Sequence, residues 1–314
     1  MLTATLIALL ILAFNLTVVN CSLVPTASAP PATEWDKTYG GVEDDWGYYA
    51  QQTADGGYMI AGFTMSSGAG AQDFWLVKTD ASGNEQWSKT YGGTFGESLY
   101  SAQQTADGGY ILAGATSSNT YWLVKTDALG NQQWNKTYSG APFFFSPYVQ
   151  QTPDQGFIIA GETPNTQSQG DFLLIKTDSA GNIQWQKTYG GASLDGASCV
   201  QRTADGGYVV VGSTLTIKGY TASFDVLLVK TDSTGNMLWN QTYVTTEHEL
   251  GMRIQQTPDE GYIISASTFI MKSTPYGTTM QYDNAMLIKT DSTGTQMWNR
   301  TYGGTEWDLG IDVD

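Results

Sequence analysis

The sequence contains very few of the residues from which most metal sites and covalent catalytic sites are built. Its 314 residues include two cysteines, Cys21 and Cys199, and one histidine, His248. Two cysteines cannot make a disulfide framework or a cysteine-based zinc site. A single histidine excludes the usual histidine-rich metal sites and argues against a Ser-His-Asp triad.

Charged residues are also scarce, at 14% of the chain, and positive charge is scarcer still. The chain has 14 Lys and Arg against 30 Asp and Glu, which gives a net charge of −16. Binding to DNA or RNA requires a clustered basic surface, so we expect no nucleic-acid partner. The acidity keeps the protein soluble and can attract cations.

Residues 1–33 are predicted to be a leader followed by a linker. Residues 2–19 are apolar apart from three threonines and one asparagine, and residues 25–33 are rich in Pro, Ala and Ser. This pattern predicts a signal peptide or, because the apolar run is near the length of a membrane span, an N-terminal membrane anchor. Both alternatives predict a secreted or cell-surface protein that contacts a membrane only through residues 2–19.

The rest of the chain, residues 34–314, is predicted to be one repeat domain. The motif Asp-Gly-Gly-Tyr or a close variant begins at five positions, namely Asp55, Asp107, Asp154, Asp205 and Asp259. Lys-Thr-Asp follows in every copy, from Lys78, Lys125, Lys176, Lys230 and Lys289, and then a tryptophan, at Trp87, Trp134, Trp185, Trp239 and Trp298. Successive copies are 52, 47, 51 and 54 residues apart, which is typical of the blades of a β-propeller.

Each copy predicts four short strands. In the first copy they are Tyr49–Thr53, Tyr58–Phe63, Phe74–Thr79 and Glu85–Tyr91, separated by turns that contain glycine. The second and third strands are almost continuously apolar, as expected where neighbouring blades cover both faces of a sheet. The fold class is therefore all-β: a β-propeller of four-stranded antiparallel blades, with five complete blades.

Both ends of the repeat domain predict partial blades. Residues 34–41 match a fourth strand, and residues 307–314 match a first strand. These two strands cannot complete one sheet between them, which predicts that the chain is a fragment of a larger ring. A closed ring of five blades is the alternative.

An acidic residue recurs four positions after the Gly-Gly pair that ends most repeats. It is found at Asp45, Glu97, Asp195, Glu249 and Asp308, whereas the third repeat has Phe144 there. Because this position opens the innermost strand, the acids are predicted to form a partial ring of carboxylates near one mouth of the channel. Such a ring could hold Ca²⁺, and no other cofactor is predicted. Alternatively, each acid caps its own turn. The acids that open the third strands, Asp73, Asp171 and Asp225, allow the same two interpretations.

The repeated lysines and tryptophans have simpler predicted roles. The lysines are expected to pair with carboxylates within their blades. The tryptophans are expected to pack between blades because an indole buries a large apolar area.

Recognition of a ligand is predicted in the segments that depart from the repeat. Candidate ligand-binding residues are Phe143, Phe144 and Phe145 in one irregular loop, and Tyr276 in a long insertion. Three Asn-x-Thr sequons, at Asn135, Asn240 and Asn299, fall at the same place in the fourth strand and are candidate glycosylation sites.

The repeat resembles the seven-bladed β-propeller (SBBP-type) repeat of bacterial and archaeal secreted and surface proteins. The residues that carry this resemblance are Trp87–Gly93, Tyr100–Gly109, Tyr110–Gly114, Trp122–Asp127 and Gly130-Asn131. The resemblance covers residues 34–314 and implies a propeller at the cell surface, without catalytic residues. A weaker likeness, in Asp80-x-x-Gly-Asn-x-x-Trp87, is to the repeats of quinoprotein propellers, but the adjacent cysteines of that family are missing.

We therefore expect a non-catalytic binding or scaffold module whose ligand is a surface glycan or a protein. The alternative is a propeller enzyme, either quinoprotein-like or glycan-cleaving, with a metal at the mouth of the channel.

Overall fold

In a computed structural model the chain folds into five antiparallel sheets of four strands each. The structure describes residues 34–118, 120–140, 146–163, 170–218, 221–245, 247–274, 277–304, 308, 310 and 312–313. The predicted leader, residues 1–33, lies outside the described residues. Every sheet consists of four strands that are consecutive in the sequence and are paired in sequence order, so that each repeat forms one blade.

The strands follow the repeat. Blade 1 contains β1 (Asp45–Gln52), β2 (Tyr58–Thr64), β3 (Asp73–Thr79) and β4 (Glu85–Tyr91), and blade 2 contains β5 (Glu97–Gln104), β6 (Tyr110–Thr116), β7 (Tyr121–Thr126) and β8 (Gln132–Tyr138). Blade 3 contains β9 (Tyr148–Gln151), β10 (Phe157–Glu162), β11 (Phe172–Thr177) and β12 (Ile183–Tyr189). Blade 4 contains β13 (Asp195–Arg202), β14 (Tyr208–Lys218), β15 (Thr221–Thr231) and β16 (Met237–Tyr243), and blade 5 contains β17 (His248–Gln256), β18 (Tyr262–Thr274), β19 (Gly277–Thr290) and β20 (Gln296–Tyr302).

The hydrophobic core lies between consecutive blades. In blade 1 every residue of β3 is buried, whereas most of β4 is exposed. One core cluster joins Met59 and Leu76 of blade 1 to Leu99 and Leu112 of blade 2. Each blade thus uses the next one to cover its apolar middle strands, which explains why these strands do not alternate between apolar and polar residues.

The repeated tryptophan packs between blades, as the sequence predicts. The Trp87 ring meets the Tyr110 ring of the next blade edge-on, with 5.7 Å between the ring centroids. The same contact recurs between Trp185 and Tyr208, at 6.0 Å. Such geometry suits the quadrupoles of two aromatic rings and fixes the angle between neighbouring sheets.

The predicted pairing of the lysines is also confirmed. Each lysine at the end of a third strand forms an ion pair with the aspartate that opens the Asp-Gly-Gly turn of its own blade, at 2.8 or 2.9 Å. In blade 2 the Lys125 side chain is only 5% exposed while the Asp107 carboxylate is 54% exposed. The ammonium group is therefore buried beside a partner that keeps access to water.

Both ends occupy positions that belong to blades outside the five sheets. The Trp35 ring contacts Tyr58, and the Tyr39 hydroxyl donates to the Gly83 carbonyl at 2.6 Å, as a fourth strand of a preceding blade would. At the other end, the Gly310 amide donates to the Ser267 hydroxyl at 3.0 Å, as Gly251 does to Ser213 in the preceding blade. Trp35, Tyr39 and Gly310 therefore make the contacts that the repeat predicts, although no strand is assigned to the described residues at either end.

Candidate functional site

The two faces of the propeller differ in regularity. We call turn face the side that carries the connections between first and second strands and between third and fourth strands. These are the Asp-Gly-Gly and Asp-x-x-Gly turns, which are nearly the same in all blades. We call loop face the opposite side, where the first and third strands begin and where the connections vary in length.

All five predicted acids lie on the loop face, and each accepts a hydrogen bond from its own turn. Glu97 accepts from the Gly93 amide at 3.0 Å and Asp195 from the Gly191 amide at 2.9 Å. Asp45 and Asp308 accept from the corresponding glycine amides at 2.7 and 2.6 Å. Glu249 accepts instead from the Thr245 hydroxyl. This is the capping role considered as the alternative to metal binding.

Three of these acids also face a second carboxylate, from the third strand of the preceding blade. The position that a Cβ atom would take on Gly190 lies 2.2 Å from Asp171 Oδ1 and 2.7 Å from Asp195 Oδ2. The corresponding point on Gly92 lies 1.8 Å from Asp73 Oδ1 and 2.6 Å from Glu97 Oε2. Only a residue without a side chain fits between these carboxylates, which accounts for the first glycine of the Gly-Gly pair at these two interfaces.

The third pair lies between blades 4 and 5. Burial raises the pKa of Glu249 to about 8, and the negative charges of Asp225 and Glu247 add to the effect. We call Asp73–Glu97, Asp171–Asp195 and Asp225–Glu249 the acid pairs. Burial likewise raises the pKa of Asp195, and burial together with the Asp195 charge raises that of Asp171.

Asp45 belongs to no acid pair among the described residues, since no third strand of a preceding blade is described. Partial burial would raise the pKa of Asp45, but hydrogen bonds from Thr64, Gly41 and Ser66 lower it below its usual value. The environment of Asp45 therefore lowers its pKa, whereas that of Glu249 raises its pKa.

The loop face is most irregular at blades 4 and 5, where two hairpins extend beyond their sheets. Strands β14 and β15 stay paired up to Lys218 and Thr221, four residues past Thr214, the last partner of β13. Strands β18 and β19 stay paired up to Thr274 and Gly277, five residues past Phe269, the last partner of β17. At about 3.3 Å per residue, the hairpins project about 13 and 17 Å.

The single histidine lies between the bases of these hairpins. The His248 ring stacks on Phe269, with 4.8 Å between the ring centroids, and His248 Nδ1 accepts a hydrogen bond from the Phe224 amide at 3.2 Å. His248 directly precedes Glu249, and Phe224 directly precedes Asp225. The bases of the two hairpins therefore lie side by side, and we call hairpin cleft the described residues of this region, namely 214–218, 221–225, 248–249, 269–274 and 277–284.

The four candidate ligand-binding residues lie outside the described residues: Phe143, Phe144, Phe145 and Tyr276. The three sequon asparagines are all exposed on outer strands: Asn135 on β8, Asn240 on β16 and Asn299 on β20. This position meets the steric requirement for glycosylation.

Among the described residues, no group of three or more His, Cys, Asp or Glu side chains could hold a metal ion. The five acids of the predicted ring are thus spread over separate blade interfaces and do not converge on one point. Within the same part of the chain, no helix has the length and apolar character needed to cross a membrane.

Sequence reasoning missed a feature of the innermost strands, the glutamine pair that precedes the Asp-Gly-Gly turn in four of the five blades, with Gln201-Arg202 in blade 4. The Gln51 side chain accepts from the Gln104 amide at 3.0 Å, and the Gln103 side chain accepts from the Gln151 amide at 2.6 Å. Gln51 and Gln103 thus link their blades to the next. The recurring Gln-Gln-Thr sequence was the available signal.

No protein-family model matches the sequence, and no curated protein matches it. Solved structures do resemble the fold. A protein of unknown function from Bacteroides caccae aligns with a TM-score of 0.50 at 10% identity, over 88% of this chain and 89% of that one. An endo-1,4-β-xylanase from Bacteroides thetaiotaomicron aligns with a TM-score of 0.45 at 11% identity, over 83% and 96%. The Neurospora crassa Pan2 WD40 domain aligns with a TM-score of 0.43 at 12% identity, over 85% and 91%. At such low identity these likenesses concern the fold alone, and the chain is an all-β protein of the β-propeller type.

Proposed function

We propose that this protein is a secreted or cell-surface binding module of the SBBP-type repeat class, without catalytic activity, that recognises a glycan through the hairpin cleft. The observation that carries the proposal is the contrast between the two faces. Five repeats keep the same turns on the turn face, while two neighbouring hairpins on the loop face project beyond the sheets. Segments that depart from a regular scaffold are where recognition is usually found.

The chemistry of the hairpins favours a glycan over a protein ligand. Residues 214–225 and 269–284 are rich in Thr, Ser and Tyr, and contain only two lysines and two aspartates. Hydroxyl and amide groups can satisfy the many hydroxyls of a sugar, and tyrosine rings can stack on its apolar face. The cores of protein interfaces are depleted in Ser and enriched in Tyr, Trp, Phe, Met and Arg, whereas the two segments contain no Trp and no Arg.

The burial of the acids argues against catalysis. Glu249 has a pKa suited to general acid catalysis, and such perturbed groups often mark active sites. However, the Glu249 and Asp225 side chains are 1% and 0% exposed, so that a substrate in the hairpin cleft cannot reach them. A glycan-cleaving or quinoprotein-like enzyme remains the competing function, for which turnover of a bound oligosaccharide or reduction of an electron acceptor would be the signature.

Glycan-array binding of the purified protein tests the proposal, with variants that remove one hairpin each. In the first variant an Asn-Gly turn replaces residues 216–223, so that Leu215 and Phe224, which are paired neighbours, close a two-residue hairpin. In the second, the same turn replaces residues 271–280, between Ile270 and Gln281. We expect each truncation to weaken glycan binding at least about tenfold.

The matched control lies on the turn face. Leu129 is 66% exposed in a turn between a third and a fourth strand, and Leu129→Ser should leave binding unchanged. Equal binding by both truncated variants would locate recognition elsewhere, in which case removal of the Phe143–Phe145 side chains is the next test. A wild-type protein that binds no glycan, but cross-links to a surface protein through the hairpins, would replace the glycan by a protein ligand.

A further inference from the structure

The acid pairs are the least expected feature of the propeller, because each places two carboxylates in a largely buried interface. Asp73, Asp225 and Glu249 are each at most 1% exposed, Asp195 is 2% exposed and Glu97 is 8% exposed. Bringing two like charges together out of water is unfavourable unless a counter-charge or a proton is present. Something besides the two carboxylates must therefore stabilise each pair.

The lysines and arginines do not supply the counter-charge. In the part of the chain that the structure describes, all five ion pairs involve the lysines of the third strands and the aspartates of the turn face. The acid pairs lie at the opposite ends of the same strands. No described cation of the protein reaches them.

Several carboxylate oxygens of the acid pairs also lack a hydrogen-bond donor. Asp73 Oδ1, Asp225 Oδ2 and Glu249 Oε2 are buried and accept no hydrogen bond from any described residue. The other Glu249 oxygen accepts from Thr245, so that the free oxygen is directed away from the cap. A buried acceptor without a donor costs about 1–3 kcal/mol, and more when it is charged. Oxygens in this state are suited to bind a ligand that the polypeptide does not provide.

The repeat keeps a constant spacing between the two acids of a pair. In each pair the third-strand acid precedes the first-strand acid by 24 residues: Asp73 and Glu97, Asp171 and Asp195, Asp225 and Glu249. At the interface between blades 2 and 3 these two positions are Thr120 and Phe144, so that both acids are missing. There the Tyr121 hydroxyl accepts a hydrogen bond from the Glu162 amide, with no acid at either position of the pair. Beyond blade 5 the equivalent positions are Asn284 and Asp308, which lie on either side of Gly303, so that the first-strand acid is kept there opposite an amide.

The residue between the two positions of a pair differs among the interfaces. Gly92 and Gly190 separate the first two acid pairs, whereas Ser139 stands at this position where both acids are missing. Between blades 4 and 5 the position is Val244, whose side chain is 44% exposed. This valine points outward and leaves Asp225 and Glu249 enclosed.

We propose that two of the acid pairs, Asp73–Glu97 and Asp225–Glu249, are Ca²⁺ sites at two blade interfaces, and that the Asp225–Glu249 site binds most tightly. Both members of that pair have an unpartnered buried oxygen, whereas only one member does in Asp73–Glu97 and neither does in Asp171–Asp195. Ca²⁺ accepts oxygen ligands in a flexible geometry, whereas Mg²⁺ requires a near-ideal octahedron, so that two carboxylates fixed by different blades suit Ca²⁺ better. The proposal is independent of the glycan ligand, since it concerns the joints between blades.

The test is calorimetric titration of the chelator-treated protein with CaCl₂ near neutral pH, with MgCl₂ as the comparison and native mass spectrometry to count bound ions. We expect uptake of Ca²⁺ by the wild-type protein, with Mg²⁺ bound at least about tenfold more weakly. The double variant Asp225→Asn/Glu249→Gln should bind one ion fewer and lose the tightest binding step. The double variant Asp73→Asn/Glu97→Gln should bind one ion fewer and keep that step.

The control is Glu85→Gln, which removes one negative charge at an exposed position of β4 and should keep the full number of ions. Far-UV circular dichroism verifies that the variants fold, as expected because neutral amides relieve the repulsion without changing side-chain size. Absence of Ca²⁺ uptake by the wild-type protein would overturn the proposal. So would an unchanged number of ions in the Asp225/Glu249 variant, which would leave a shared proton as the stabilising partner of the pair.

Discussion

The hydroxyl of Tyr91, at the end of the fourth strand of blade 1, donates a hydrogen bond of 2.7 Å to the carbonyl oxygen of Gly130, in a turn of blade 2. Tyr138, Tyr189 and Tyr243 make the same bond to the following blade at 2.6–2.8 Å. This bond fastens the exposed outer strand of one blade to its neighbour, at a distance of about 40 residues along the chain, where covalent connectivity gives little restraint.

We expect Tyr91→Phe to destabilise the protein by about 1 kcal/mol, because the ring stays packed while the Gly130 carbonyl loses its donor. The measurement is equilibrium denaturation in urea. Tyr302 is the matched control: it stands at the same position of blade 5 but is 50% exposed, against 7% for Tyr91. Equal destabilisation by Tyr302→Phe would show that the interblade bond is not the cause.

Removing either partner of the Lys125–Asp107 ion pair should lower the unfolding free energy, but by different amounts. Asp107→Asn leaves the Lys125 ammonium buried without its counter-ion and should cost about 1–3 kcal/mol of unfolding free energy. Lys125→Met removes the buried charge and leaves a carboxylate that is 54% exposed, so it should cost less. Chemical denaturation of both variants checks the order, and a larger loss for Lys125→Met would contradict it.

The pH dependence of stability should have two limbs with opposite slopes. Partial burial would raise the pKa of Asp107, but hydrogen bonds from Lys125 and Thr105 lower it to about 2, against an ordinary value of 3.8. Hydrogen bonds from Thr53 and Lys78 lower the pKa of Asp55 to about 2 as well. A lowered carboxyl pKa stabilises the folded state above the unfolded value, so this stability is lost as the pH falls from about 4 towards 2.

Glu249 acts in the other direction. Because its pKa is raised from 4.5 to about 8, the calcium-free protein gains stability as the pH falls from about 8 to 5. Thermal unfolding in the presence of a chelator should therefore show a maximum between the two limbs. Glu249→Gln should flatten the upper limb and leave the acid limb unchanged, and an upper limb that survives this substitution would assign it to another group.

Two glycines of blade 1 should respond differently to a methyl group. A Cβ on Gly57 would lie 2.1 Å from the Thr79 carbonyl oxygen, which belongs to the backbone and cannot move aside. A Cβ on Gly93 would meet nothing within 4 Å. We expect Gly57→Ala to cost about 1–3 kcal/mol through overpacking and Gly93→Ala to be nearly neutral. Urea denaturation of the two variants makes the comparison.

Much of the fold could be predicted from local sequence. The Asp-Gly-Gly turn needs a residue at positive φ, and Gly56 has φ of 83° there, while Gln155 and Glu260 adopt 63° and 61° in the two variant copies. A turn of this kind, repeated in phase with apolar strands, predicts four strands per repeat without any tertiary information. The predicted strands agree with the observed ones, except that β1 begins earlier, at Asp45 instead of Tyr49.

The candidate site was predicted only in part. The first-strand acids and the third-strand acids were each identified, but not as pairs, because the members of a pair come from different blades. The constant separation of 24 residues between Asp73 and Glu97, and between their equivalents, was the signal available in the sequence. The insertion of blade 5 was singled out from the sequence as a recognition segment, but the hairpin of blade 4 and the place of His248 between the two hairpins were not predicted.

The amino-acid sequence by itself determined the blade, since strand length, turn type and the apolar middle strands follow from interactions within about 50 residues. Only the tertiary structure decided what meets at the joints: a carboxylate beside a carboxylate, a tyrosine hydroxyl on the next turn, and a histidine between two hairpins. Those contacts depend on the angle at which one twisted sheet packs on the next, which is set by the summed packing of many side chains and not by any local motif.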